Sequence, residues 1–143
     1  MGVLSDLFIA GADEIGLLNP DASPAGVFTT IDVSGIDILK LTSLLCILRS
    51  SNYDMNVIDQ FFAVGEESED GPWIHKFPDE LRDLLSALDT ETIARTAGDW
   101  SRTEEFQLEQ WPQELVEEAL TAMAGLAVQA KQTNKDIFLW NSL

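Results

Sequence analysis

The sequence predicts a helix-rich α+β domain with a small sheet formed by N-terminal, central and C-terminal strands. Short apolar or alternating runs lie near both ends and in the middle of the chain, and apolar residues at helical spacing fill most of the second half. The 143 residues match one domain, residues 1–143, against a typical length of roughly 150. Hydrophobic residues make up 45% and charged ones 23%, enough to bury a core despite a net charge of −17.

The first strand is expected at residues 3–10, short and apolar. Asn19-Pro20-Asp21, Ser23-Pro24 and Gly26 then form a breaker cluster and read as a loop. Residues 27–33 are β-branched and suit a short strand. Ser34 is positioned as N-cap of a helix over 35–49. Its stripe is Ile36, Leu41, Leu44, Leu45 and Leu48, and Ile38, Leu39, Cys46 and Ile47 widen it around the circumference. Such a helix is central and buried, so Cys46 reads as core. Val57, Ile58, Phe61 and Phe62 suggest one or two further helical turns ending at Gly65.

Glu66-Glu67-Ser68-Glu69-Asp70-Gly71-Pro72 reads as an exposed acidic turn. It lacks the alternating ligands and distal glutamate of a calcium loop. Residues 73–77 alternate as a half-buried strand, with Trp73, His75 and Phe77 on one face and Ile74 and Lys76 on the other. Pro78 suits the first helical position, followed by Leu81, Leu84, Leu85 and Leu88 at i, i+3, i+4, i+7. Asp89 caps a second helix whose inward residues are Ile93, Ala97 and Trp100. Continued through Phe106, that helix would carry Trp100, Thr103 and Phe106 on one face, with Arg102 and Glu105 on another. A long helix from Trp111 to about 133 shows Leu115, Ala119, Ala122, Met123, Leu126 and Ala130 as its apolar face, with Asn134 as C′ residue. The run 137–140 is a last strand that must be held by pairing with another.

Charge bounds the function. Residues 65–118 carry −12 of the net charge, residues 1–64 carry −6, and 119–143 carry +1. An acidic chain without a Lys/Arg cluster excludes phosphate-led nucleic-acid binding. The single cysteine excludes an internal disulfide and a thiolate zinc site. The start MGVLSDLFIA lacks the basic region and cleavage site of a secretory signal, and no apolar run approaches the ~18 residues of a membrane span. The expectation is a cytoplasmic protein with no membrane association.

His75 is the only histidine, and no nucleophile elbow, CxxC or phosphate-loop fingerprint accompanies it. No catalytic residue, metal ligand or cofactor is assigned.

Lys40-Leu41-Thr42-Ser43-Leu44-Leu45 in an apolar helix, Pro78-Asp79-Glu80-Leu81 opening a helical stretch, and Gln129-Ala130-Lys131 followed by Asp136-Ile137-Phe138-Leu139-Trp140 resemble the YfbM-like family of small bacterial proteins of unknown function. The resemblance spans about residues 35–143 and departs at Leu41, where the family's first helix carries tryptophan. It implies a cytoplasmic bacterial α+β domain and no catalytic residue.

The sequence favours a non-enzymatic interaction protein, immunity- or inhibitor-type, that presents an acidic surface to a basic protein such as a toxin or nuclease. The residues expected to meet the partner are Glu66, Glu67, Glu69, Asp70, Glu104, Glu105 and Trp111. The alternative is a small-molecule-binding domain or enzyme with a pocket near His75. A homo-oligomer joined through a Trp-bearing face or a sheet edge is the third reading.

Overall fold

The last strand of the chain is the middle of the sheet. In the computed structural model, which describes residues 4–17, 24–64 and 71–142, β5 (Asp136–Ser142) pairs with β1 (Leu4–Ala10) on one side and β4 (Trp73–Lys76) on the other. β2 (Thr30–Asp32) and β3 (Phe62–Ala63) form the edges, and all pairings are antiparallel in the order β2-β1-β5-β4-β3. The fold is therefore α+β, with its sheet drawn from both ends and the centre of the sequence. Short edge strands leave little backbone open to pairing with another chain.

Both faces of the central strands are covered, which is why residues 137–140 are continuously apolar. Leu7, Ile9, Ile137 and Leu139 pack into the main core beneath the helices. Phe8, Ala10, Ile74, Phe138 and Trp140 form a second cluster on the opposite face, where Phe8 stacks between Phe28 and Phe138 at centroid distances of 5.4 and 5.3 Å. The alternation expected for β4 holds: Phe77 joins the main core and Ile74 the second cluster. The strand expected over 27–33 shortens to three residues, because only Thr30–Asp32 pair with β1.

Five helices lie over the main-core face: α1 (Ile38–Leu48), α2 (Asp79–Ser86), α3 (Thr90–Ser101), α4 (Glu104–Leu108) and α5 (Gln113–Gln132). A 3-10 turn at Met55–Gln60 supplies the turns expected after α1. Asp89 caps α3 as expected, within a capping box completed by Thr92.

α1 begins later than its sequence suggests, and Asp37 rather than Ser34 is its N-cap. The Asp37 side chain accepts from the Lys40 amide at 3.0 Å, whereas the Ser34 amide and hydroxyl both donate to Asp32. Gly35 between them has φ +93°, and a Cβ there would meet the Trp111 ring at 2.6 Å. Only glycine satisfies both the left-handed turn and that close approach.

The helix expected to run through Phe106 is broken. Thr103 is extended, α4 starts afresh at Glu104, and Arg102 pairs with Asp99 rather than with Glu105. The break turns Phe106 into the core, edge-on to Trp100 at 5.0 Å.

The face expected for α5 is buried in its second half, at Met123, Leu126 and Ala130, but not at its start: Leu115 is 48% exposed and Ala122 is exposed, while Val116 and Leu120 are buried instead. The helix packs on α2, α3 and the sheet together, and its first turns meet that wide contact through Val116 and Leu120.

Candidate functional site

Almost every cation in this chain is already engaged. Of the eight lysines and arginines, seven form ion pairs: Lys40 with Glu109, Arg49 with Glu80, Lys76 with Asp79 and Asp136, Arg82 with Asp83 and Asp136, Arg102 with Asp99, Lys131 with Asp83, and Lys135 with Glu14. Arg95 lies close enough to help lower the pKa of Asp89. Among the described residues no carboxylate side chain is buried, so the acid excess there faces solvent. From Glu104 to Glu118 there are six glutamates and no base. Of these six, only Glu109 has an ion-pair partner among the described residues.

Lys40 organises this region from inside. It is 1% exposed, yet its Nζ lies 2.6 Å from both Glu109 Oε2 and the Gly35 carbonyl. The ammonium also sits 5.5 Å from the Phe106 ring centroid and 6.0 Å from that of Trp111. The Lys40 carbonyl accepts from Trp100 Nε1 at 2.8 Å, so one residue ties α1 to α3, α4 and the Trp111 turn. Sequence reasoning missed Lys40. Its signal was a lone cation in a helix apolar on nearly every side.

Beside this network lies a pocket of about 320 Å³. Ser43, Cys46 and Ile47 of α1 form one wall at i, i+3, i+4. Ser51 and Tyr53 follow from the chain after α1, and Thr103, Glu104 and Glu105 close it from the start of α4. Burial, followed by the Glu105 carboxylate, raises the Tyr53 phenol above its ordinary range, which places Glu105 within electrostatic reach of the ring. Glu104 and Glu105 were expected as site residues on charge alone, and the structure brings both to this pocket.

Trp111 lies elsewhere. It is half-buried over Gly35 and Phe106, and it lines a second depression with Asp32, Ser34, Leu115 and Glu118. Trp100, expected as an inward residue of α3, is fully buried. Glu66, Glu67, Glu69 and Asp70 lie outside the described residues.

A pocket does adjoin His75. It holds about 330 Å³ between Ile38, Ile58, Asp59, Phe61, Phe62 and Ala63, on the β3 edge of the sheet. Its described lining contains one carboxylate, Asp59, and no serine, cysteine or lysine. No group of three His, Cys, Asp or Glu side chains suited to holding a metal ion occurs among the described residues. Among them, no helix is long and apolar enough to cross a membrane.

The chain matches no protein-family model, no curated protein and no solved structure. The functional reading therefore rests on its own geometry.

Proposed function

We propose that this protein is a non-enzymatic binding protein whose acidic helix layer receives a basic protein partner, in the manner of an immunity or inhibitor protein. The observation that carries the reading is the engagement of the chain's own cations, which leaves Glu104, Glu105, Glu114, Glu117 and Glu118 without internal compensation. Such a surface attracts a cationic partner over a distance and speeds its association. A cytoplasmic setting belongs to the same proposal.

The test is capture of partners from the source cell's lysate on wild-type protein and on a variant reversed at Glu104, Glu105, Glu114 and Glu117. A basic protein held by the wild type and lost by the variant supports the proposal. Equal retention by both would sink it.

The depression beside His75 supports a second reading, a small-molecule site. A ligand whose affinity falls with His75→Ala, in a variant of unchanged stability, would favour that alternative.

A further inference from the structure

The pocket between α1 and α4 carries an inference that rests on the reading above and sharpens it. Its α1 wall holds a polar group that takes no hydrogen bond from the described residues and opens into the pocket. Ser43 is 4% exposed, lines the pocket, and its hydroxyl has no hydrogen bond among the described residues. The neighbouring Thr42 hydroxyl, by contrast, donates to the Ile38 carbonyl four residues back, the usual resort of such a group inside a helix. Solvent reaches this hydroxyl inside the pocket, so an occupant has to hydrogen-bond to it in place of the water that it displaces.

The remaining walls define that occupant. Glu104 is exposed and Glu105 partly so, which puts them at the rim, and neither has an ion-pair partner among the described residues; the phenol ring of Tyr53 and the side chains of Ile47 and Cys46 supply the apolar part. Acceptors at rim and wall, together with a ring, suit a group that is cationic, planar and rich in donors. Guanidinium has five N–H donors, is weakly hydrated and stacks on aromatic faces, whereas ammonium is compact and strongly hydrated. The volume of about 320 Å³ lies at the small end of ligand pockets, which run from roughly 300 to 1,000 Å³, and fits one side chain rather than a cofactor. Cys46, Glu104 and Glu105 do not form a group suited to holding a metal ion.

We infer that this pocket is the receptor for a single arginine side chain of the basic partner, held by Glu105 and Glu104 at the rim, stacked on Tyr53 and hydrogen-bonded to Ser43 on the α1 wall.

The test uses butylguanidinium as the arginine side chain and butylurea as its neutral counterpart, titrated into the full chain and followed by amide NMR shifts. Butylguanidinium is expected to move the amides of Ser43, Cys46, Ile47, Thr103 and Glu105, and butylurea to leave them in place. Glu105→Gln should weaken binding about tenfold and Ser43→Ala about threefold, while Glu91→Gln, exposed on α3 and outside the pocket lining, should change nothing. Equal shifts from both compounds, or none from butylguanidinium, would overturn the inference. So would affinities unchanged in both Glu105→Gln and Ser43→Ala.

The two readings fail separately. A silent pocket with a basic partner still lost on charge reversal removes the arginine receptor and keeps the acidic surface. A pocket selective for guanidinium, with no basic partner captured, does the reverse.

Discussion

Three residues hold left-handed backbone at helix ends without being glycine: Ser50, Gln110 and Asn134, at φ +56, +57 and +55°. Each sits at C′ of a Schellman motif. After α5, for example, the Lys135 amide reaches the Ala130 carbonyl at 2.8 Å and the Asn134 amide reaches Lys131 at 3.2 Å. Asparagine tolerates this conformation better than serine or glutamine does, so Ser50 and Gln110 carry more strain than Asn134. Gln110→Gly should therefore raise stability by about 0.5–1 kcal/mol, seen as a higher urea midpoint with unchanged slope. An unchanged or lower midpoint would show that the Gln110 side chain contributes more than its backbone costs.

Lys40 and Glu109 form a pair of unequal exposure, 1% against 48%, and the two deletions should differ in consequence. Lys40→Met leaves a half-exposed carboxylate that water can solvate and one carbonyl short of a donor, a loss of about 1 kcal/mol. Glu109→Ala leaves a buried ammonium with only the more distant Asp37 carboxylate, 3.9 Å away, a loss of about 2–3 kcal/mol. Urea unfolding of both variants checks the order, and the reverse order would contradict the role given to Lys40.

Among the elements, α5 offers the sharpest contrast. Leu115 and Val116 are neighbours, and the sequence favours Leu115 as the inward residue. Val116→Ala should cost about 2 kcal/mol and Leu115→Ala under about 0.5 kcal/mol, because only Val116 is buried. Equal costs would restore the expected face.

Features set by adjacent residues were legible in the sequence. The Asp89 cap, the Asn134 turn and the two faces of β4 each depend on a few neighbouring residues. The features that were not legible are decided across the fold. Asp37 displaces Ser34 as the cap because Gly35 turns beneath Trp111, far along the chain. At the start of α5, its wide contact with α2, α3 and the sheet selects between two apolar stripes one residue apart. For the site, Glu104 and Glu105 could be read from charge. The pocket could not, since it forms only when the broken α3–α4 segment brings them against Ser43 and Tyr53.

For the molecule as a whole, charge sets the response to pH and salt. Asp32 is held below the usual carboxylate range by hydrogen bonds from Ser34, Asp89 by Thr92, Glu80 by Arg49, and Glu14 by Lys135. Each binds its proton more weakly in the folded state than in the unfolded chain. The stability they contribute is complete above the unfolded pKa of about 4 and is lost as pH falls through the lower folded values. Self-repulsion acts the other way, easing as the remaining carboxylates begin to protonate. Stability followed by urea midpoint should therefore peak near pH 5 and drop below about pH 4. At pH 7, raising salt from about 0.05 to 0.5 M should raise Tm by roughly 2–5 °C, because the exposed ion pairs that salt weakens contribute little. A Tm that falls with salt would mean that the seven paired cations stabilise the fold more than the acid excess strains it.

Glu104, Glu105, Glu114, Glu117 and Glu118 have no ion-pair partner among the described residues, and a basic partner is the proposed reason for them. The most direct test is lysate capture on this protein beside an unrelated bait of equal negative charge, each washed at low and at high salt. The account predicts a basic protein that only this chain retains, released at high salt because exposed charges are screened within ~8 Å or less. Identical proteins on both baits, or nothing specific at low salt, would contradict it.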